Sequence, residues 1–270
     1  MAIFIYLMAQ IINAKKWHLL LPEVEFLTLL KFTFIGAFYT MILPGQLSGE
    51  IAKTWRLAKG TSIAEQVAAS VFIDRVTGII ALLVLAFMGA SFSTAEVAGF
   101  IIFPSALVVM ILFLSIFLMR VQAIQLSVKS MLHWLMDPFP YLRSQLPRVI
   151  KLVDHLAYYS GAHRKLMISI FVGFVFQAAV VAIAFLFSKA LGITIGFLDL
   201  AWIMGAISLL IFLPISVSGI GVRELGFVGI LSLFEIDVST ALTLSILIFS
   251  LQIIGAAIGA VFELTAKGKS

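Results

Sequence analysis

The stretch 43-LPGQLSGE-50 interrupts an apolar run in which a buried helix would otherwise continue, and 213-LPISVSGIGVRE-224 repeats its pattern. In both stretches Leu-Pro is followed at the same spacing by Ser-Gly, and charged residues come shortly behind. Proline ends a helix, whereas Ser-Gly allows the backbone to turn and a new helix to begin. Breakers at matching places in two halves of a membrane protein indicate a substrate site. Two ordinary cytoplasmic turns would leave the same pattern.

The composition identifies the class of protein. Of 270 residues, 62% are hydrophobic and only 11% are charged, whereas a soluble domain has about 25% charged residues. So few charges cannot cover a soluble surface, so the chain is an integral membrane protein. The absence of cysteine excludes disulfides and thiolate metal sites.

Apolar runs near the length of a bilayer span, about 20 residues of helix, recur along the chain. They are 27–43, 66–90, 97–119, 166–188, 199–213, 219–234 and 240–262. An eighth run, 1–14, is shorter and ends before Lys15 and Lys16, and it lacks the basic start and the cleavage site of a signal peptide. The sequence therefore predicts an all-α bundle of about eight spans in a single domain over 1–270, with a short first span and two broken or re-entrant helix elements.

Basic residues are divided unevenly between the loops of this arrangement. With both termini in the cytoplasm, 13 basic residues fall in the inner segments and three, Lys15, Lys16 and Lys189, fall in outer loops. The bias follows the positive-inside rule. It predicts a multi-pass protein of the inner (plasma) membrane whose C-terminus and 120–165 segment are cytoplasmic. The net charge of +5 therefore reflects topology and does not indicate a nucleic-acid partner.

The segment 120–165 is the longest polar part of the chain. Its first half places apolar residues on one helical face, Pro138 and Pro140 break it, and 148–159 forms a second amphipathic stretch. The pattern predicts helices lying in the cytoplasmic interface beside anionic lipid. A connector that covers helix ends is an equally good interpretation. The segment is too short for a soluble catalytic domain.

Motifs for nucleotide and metal chemistry are missing from the sequence. There is no G-x-x-x-x-G-K-[ST], no H-E-x-x-H and no G-x-G-x-x-G, and the four histidines are scattered in polar segments. We therefore expect no cofactor and no metal, and movement of any substrate would be passive or driven by an ion gradient.

Charged residues inside the apolar runs are the candidates for function. Asp74 and Arg75 lie within the span 66–90, where a charge costs about 2.5–3.5 kcal/mol unless it pairs or faces a cavity. Because neighbours in sequence do not face each other on a helix, each needs another partner. A structural ion pair of Arg75 with Glu50 or Glu224 and a role in binding substrate are both consistent with this pattern.

Three of these stretches together resemble a known family. 43-LPGQLSGEIAKTWRL-57, 69-ASVFIDRVTGIIAL-82 and 217-VSGIGVRELGF-227 are similar to the signature stretches of the lysylphosphatidylglycerol synthase transmembrane-region family, in order and spacing, over nearly the whole chain. The resemblance implies an eight-span flippase-like domain. In members that carry an appended soluble aminoacyl-transfer domain, the membrane domain translocates aminoacylated phosphatidylglycerol. This chain departs from the pattern at Ser48 and Ser218, where glycine is common, at Asp74, which replaces glutamate, and at Gly78, where an acid is frequent.

The resemblance also implies which residues bind substrate. They are Pro44, Gly45, Gly49, Glu50, Lys53, Asp74, Arg75, Pro214, Gly219, Gly221, Arg223 and Glu224. The expected function is to bind and translocate a lipid or polyprenyl-linked headgroup, without enzymatic activity. The expected partners are an anionic or aminoacylated phospholipid or a polyprenyl-phosphate-linked sugar, and another copy of the chain or a membrane enzyme. The alternatives are a membrane-embedded transferase that uses a lipid-linked donor and a non-transporting subunit of a lipid-modifying enzyme.

Overall fold

A computed structural model describes residues 1–45, 47–93, 98–212 and 216–267. Within these ranges the chain is all-α, as predicted, with eleven α-helices, one 3₁₀ turn and no strand. The helices are α1 Ala2–Leu20, α2 Phe26–Ile42, α3 Ser48–Ala58, α4 Ala64–Ser91, α5 Gly99–Leu118, α6 Gln122–Met136, α7 Pro140–Gly161, α8 His163–Ala190, α9 Phe197–Ile211, α10 Val222–Leu231 and α11 Val238–Lys267, with the 3₁₀ turn at Ser232–Phe234.

Helix α4 runs between the two ends of the bundle. Near its start, Ala69 packs in one cluster with Leu20 of α1 and Tyr159 of α7, and we call this end the α7 end. Near its finish, Gly89 lies against Leu198 at the start of α9, and we call this end the far end. Among the described residues, α4, α5, α8 and α11 are long and apolar enough to cross a membrane.

The first breaker turns the chain back within the bundle. Helix α2 starts at the α7 end, where Leu29 packs with Trp17 and Val67, and α3 returns to the same end. The two helices lie antiparallel, with Gly36 of α2 beside Gly49 and Lys53 of α3. At 1.5 Å per residue they are about 25 and 16 Å long, short of the roughly 30 Å of a bilayer core. Together they form a re-entrant hairpin.

The second breaker forms a hairpin of the same kind from the opposite end. Helix α9 starts at the far end beside α4, and α10 returns there, with Gly226 against Ile207 and Phe234 beside Trp202. These helices are about 22 and 15 Å long. The range 219–234, predicted as a full span, therefore holds only the returning half of a hairpin and a 3₁₀ turn.

The tips of the two hairpins touch each other. Pro44 and Val217 form an isolated antiparallel bridge, and the Gly45 N–H donates to the Ser216 carbonyl over 3.2 Å. The two breakers that share a sequence pattern thus meet inside the bundle. Pro214 lies outside the described residues.

The bundle contains an inverted repeat. An offset of 170 residues carries Leu43 onto Leu213 and Ser48 onto Ser218. The same offset carries α1 onto the second part of α8, α2 onto α9, and most of α3 and α4 onto α10 and α11. The first hairpin enters from the α7 end and the second from the far end, so the two repeats have opposite directions. Inverted repeats with broken helices at their interface are the architecture of many transporters.

Helix α1 corrects the predicted topology at the N-terminus. It continues through both lysines to Leu20, and its last turn lies beside Leu166 at the start of α8. Lys16, one turn earlier in α1, lies beside Gly173, which is about two turns further along α8. The two helices are therefore antiparallel, and α1 begins toward the far end. Lys15 and Lys16 therefore do not belong to an outer loop. Helix α11 ends toward the α7 end, where Glu263 pairs with Arg56 of α3. The first and last helices therefore place the two termini at opposite ends of the bundle, whereas the predicted topology placed both on one side.

The predicted amphipathic segment forms two helices at the α7 end. Helix α6 ends before Pro138 and α7 begins at Pro140, as the proline pair indicated. Tyr159 near the end of α7 donates its hydroxyl to the Leu20 carbonyl over 2.6 Å. Burial raises the pKa of the Tyr159 phenol, which keeps it a hydrogen-bond donor.

Small residues bring α11 against α1 and the first hairpin. A Cβ added at Gly255 would lie 2.0 Å from the Tyr6 hydroxyl, and one at Gly259 would lie 2.0 Å from the Phe34 carbonyl. These glycines mediate close packing within the chain, as small-residue faces do in membrane bundles.

Candidate functional site

A cavity of about 330 Å³ lies where the two hairpin tips meet. It is walled by α1, α4, α8, α11 and the inner faces of both hairpins. Five of the twelve predicted residues line it, and all five are charged: Glu50, Lys53, Asp74, Arg75 and Arg223. The volume falls in the range of about 300–1,000 Å³ that is usual for ligand sites.

Glu50 links the first hairpin to the middle of α4. Its carboxylate forms a salt bridge with the Lys53 ammonium at 2.7 Å and accepts a hydrogen bond from the Arg75 guanidinium. This is one of the two ion pairs that the sequence left open for Arg75. Glu50 and Lys53 are buried, whereas 39% of the Arg75 side chain is exposed. Arg75 lies well inside a 28-residue helix. The cavity therefore reaches that depth.

Asp74 has a partner that the sequence did not predict. The Lys16 ammonium lies 3.2 Å from Asp74 Oδ1 and 2.8 Å from the Asp74 backbone carbonyl, and both residues are buried. Trp17, one residue further, donates its indole N–H to Ser70 Oγ over 3.1 Å. Apolar residues continue after Lys16 in the sequence, and this pattern could have indicated that α1 extends beyond the two lysines.

Arg223 is held in a fixed orientation in the second hairpin. Its guanidinium contacts Glu224 Oε1 at 3.2 Å and donates to Gln252 Oε1 over 3.0 Å. It also lies 4.3 Å from the centre of the Phe249 ring. Nε and Nη2 both donate to Glu224 and Nη1 donates to Gln252, so these contacts fix the plane of the guanidinium.

Glu224 contacts Arg223 from outside the cavity lining. Besides Arg223, its carboxylate accepts from the Gly221 N–H over 2.5 Å and from the Ser245 hydroxyl over 3.2 Å. The N–H of Gly221, one of the residues predicted to bind substrate, therefore already donates to a side chain. Gly221, with φ of +86°, begins α10 in a backbone conformation that glycine tolerates.

The other predicted glycines shape the hairpins. A Cβ on Gly49 would lie 2.2 Å from the Gly36 carbonyl, so Gly49 permits close packing of α2 and α3. Gly219 and Gly45 turn the tips at positive φ. None of the four predicted glycines lines the cavity. The serine of the first breaker does not cap α3 by accepting a hydrogen bond, because the Ser48 hydroxyl donates to the Gly45 carbonyl over 2.7 Å.

Neutral polar side chains complete the cavity wall, and sequence reasoning missed them. The larger ones come from α1, α8 and α11 and are Tyr6, Gln10, Asn13, Gln177 and Gln252, and hydroxyl groups are added by Thr33, Thr40, Ser208 and Ser218. Single carboxamides in long apolar helices carry no motif, so only the packing of the helices identifies them. No group of three metal-ligating side chains occurs within the described ranges.

Two features outside the cavity also involve charges. Glu263 of α11 binds Arg56 at 2.8 Å and accepts from the Tyr39 hydroxyl over 3.0 Å, which ties α11 to both helices of the first hairpin. A second cavity of about 670 Å³ lies at the α7 end, between α7 and the turn from α3 to α4. Lys59, Arg148 and Lys151 make its wall basic. The residues predicted to bind substrate do not line it.

Comparison with known proteins identifies the family. The family model described as "Lysylphosphatidylglycerol synthase TM region" matches residues 1–259. Neither the curated proteins nor the solved structures include a significant match to this chain.

Proposed function

Because the chain belongs to the lysylphosphatidylglycerol synthase TM region family, we propose that it binds a phospholipid headgroup in the central cavity and moves it between the leaflets. One observation carries this proposal: charged residues of both hairpins converge on one polar cavity at the point where the hairpin tips meet. Polar groups at such depth mark a substrate pathway in membrane proteins.

The inverted repeat supports movement as well as binding. Each repeat contributes one hairpin, and the tips are joined by a single backbone hydrogen bond in the described residues. Rocking of one repeat against the other would break few hydrogen bonds between the tips, and it would open the cavity to one leaflet and then the other. No nucleotide-binding motif occurs in the sequence, so we propose that this movement is passive or ion-coupled.

The distribution of charge supports an orientation. The α7 end carries the basic residues of α6, α7 and the α3–α4 turn. Of the three basic residues predicted in outer loops, Lys15 and Lys16 lie within α1, and Lys189 remains at the far end. By the positive-inside rule we propose that the α7 end faces the cytoplasm of a cell whose plasma membrane holds the protein.

The contacts of the carboxylates favour binding over catalysis. Glu50, Asp74 and Glu224 each form a salt bridge with at least one cation, so none of the three is a free carboxylate placed to exchange a proton with a substrate. We therefore propose that the chain alone is not a transferase.

Translocation in proteoliposomes tests this function. The full chain is reconstituted with fluorescent phosphatidylglycerol, and the fraction of label that crosses to the outer leaflet is followed with a membrane-impermeant quencher. Arg223→Lys keeps the charge but loses the planar fork, so it should slow translocation at least about tenfold. Arg143→Lys, on a side chain that is 72% exposed, should have no effect. Equal rates for wild type and Arg223→Lys would contradict the proposed site.

A further inference from the structure

The charges around the central cavity do not cancel. Four basic side chains line it, Lys16, Lys53, Arg75 and Arg223, and two carboxylates line it, Glu50 and Asp74. A third carboxylate, Glu224, contacts Arg223 from the side. Lys16 and Asp74 form a buried salt bridge and contribute no net charge as a pair. The three other cations, Lys53, Arg75 and Arg223, face two carboxylates, Glu50 and Glu224, which leaves one positive charge in excess.

Residues outside the described ranges do not change this balance near the hairpin tips. Gln46 and the run from Leu213 to Ile215 are uncharged by sequence. The other ion pair of the first hairpin, Arg56 with Glu263, is balanced. The excess therefore belongs to the cavity itself.

The excess charge is located at Glu50. This carboxylate serves two cations, Lys53 and Arg75, whereas Lys16 and Arg223 each have a carboxylate of their own. Part of the Arg75 side chain remains exposed in the cavity. An unbalanced charge in a low-dielectric interior is costly unless a ligand or water compensates it.

The neutral lining adds a second constraint. Gln10, Asn13 and Gln177 present carboxamides to the cavity, and Gln252 presents the carboxamide that Arg223 holds. Carboxamides donate and accept hydrogen bonds but carry no charge, so they suit hydroxyl groups better than a second phosphate or an ammonium.

We infer that the cavity selects a phosphodiester headgroup that carries one net negative charge together with neutral hydroxyl groups. The inference rests on the proposed function for the identity of the ligand as a lipid, and it adds the charge class of that lipid. A phosphodiester carries one negative charge, a phosphomonoester about −1.5 to −2 at pH 7, and a headgroup with both a phosphodiester and an amine carries none. The cavity discriminates among the three by matching charge.

The test changes the excess charge and measures which lipid is preferred. The full chain binds phosphatidylglycerol, phosphatidic acid and phosphatidylethanolamine with identical acyl chains, supplied in equal amounts, and native mass spectrometry reports the bound fractions. Wild type, with an excess of one, should prefer phosphatidylglycerol by about tenfold or more. Glu50→Gln raises the excess to two and should shift the preference to phosphatidic acid. Lys53→Met removes the excess and should shift it to phosphatidylethanolamine.

Two further variants keep the test decisive. Gln252→Glu also removes the excess but breaks no ion pair, so it tests the inference even if Glu50→Gln or Lys53→Met fails to fold. Lys189→Met removes the same charge at the exposed end of α8, away from the cavity, and should leave the wild-type order intact. The same order of lipids in wild type and Gln252→Glu would overturn the inference.

The same charge could be supplied by a free monovalent anion. Binding is therefore repeated with chloride replaced by gluconate. If a lipid phosphodiester is the occupant, the order of lipids stays unchanged. If selectivity among lipids appears only when chloride is removed, chloride occupies the site and the inference is wrong.

Translocation separates this inference from the proposed function. Wild-type chain that moves all three lipids at one rate would contradict charge selection and leave the proposed function standing. Charge-dependent binding without translocation would contradict the proposed function and leave the inference standing.

Discussion

Lys53 and Arg223 occupy equivalent positions, 170 residues apart, in two helices that enter one cavity from opposite ends of the bundle. Each follows the proline of its breaker by nine residues, and each has a carboxylate partner within its own helix, Glu50 or Glu224. The inverted repeat thus places one cation from each half in the lining of the same polar cavity. A ligand bound between them would contact both halves, which couples its presence to their relative movement.

The reassigned start of α1 gives a topology prediction. Single cysteines are introduced into this cysteine-free chain at Ala2, Ser130 and Ser239. With the α7 end in the cytoplasm, an impermeant thiol reagent applied to intact cells should label positions 2 and 239 and spare position 130. Labelling at position 130 before lysis would contradict the orientation, and protection at position 2 would contradict the reversed direction of α1.

The Glu50–Arg75 contact gives a stability prediction. Arg75→Leu leaves Glu50 with Lys53 alone and should lower the free energy of unfolding by about 1–3 kcal/mol. The loss should be smaller than for a fully buried pair because water screens the partly exposed guanidinium. Thermal unfolding in detergent measures the effect. Arg143→Leu, which removes an exposed arginine from α7, is the control and should leave the melting temperature unchanged.

Gly49 gives a packing prediction. The Cβ of Gly49→Ala would lie 2.2 Å from the Gly36 carbonyl and 2.0 Å from the Thr40 hydroxyl oxygen. The helices must move apart, which should cost about 1–3 kcal/mol. Gly229→Ala is the matched control, because it lies in α10 with open space around it and should be neutral or stabilising through higher helix propensity. Equal melting temperatures for the two variants would contradict the close packing of the first hairpin.

Tyr159 gives a prediction about pH. Tyr159→Phe leaves the buried Leu20 carbonyl without this donor and should cost about 1–3 kcal/mol, whereas Tyr158→Phe, on a ring that is 61% exposed, should cost little. Because burial raises the pKa of Tyr159 in the folded chain, its stabilising contribution is complete below the ordinary tyrosine pKa of about 10 and decreases as the pH rises toward the folded value. The difference in melting temperature between wild type and Tyr159→Phe should therefore be constant from pH 7 to about 9. A difference that grows with pH within that range would show that the folded chain lowers the pKa of the phenol, which would contradict the effect of burial.

The sequence predicted what local chemistry determines. The paired breakers, the all-α membrane class and a partner for Arg75 followed from proline, hydropathy and the cost of an isolated charge at depth. The breakers do meet, and Glu50 does bind Arg75.

What the sequence could not show depends on how helices pack. An apolar helix of 17 residues such as α2 has the same composition whether it crosses the membrane or ends within the bundle. The sequence therefore predicted full spans for α2, α9 and α10. Lys16 resembled a loop residue because its partner Asp74 lies 58 positions away. Gln252 carries no motif, and it became part of the site only because α11 passes beside Arg223.

The central claim, that a headgroup passes through the cavity between the two hairpin tips, is tested most directly by joining the tips. Residues paired in an antiparallel bridge have Cα atoms about 4.5–5.5 Å apart, within the range that a disulfide spans. Pro44→Cys combined with Val217→Cys should therefore cross-link under mild oxidation. We predict that oxidation abolishes translocation of phosphatidylglycerol in proteoliposomes, that reduction restores it, and that neither single-cysteine variant responds. Full translocation by the cross-linked chain would contradict the account.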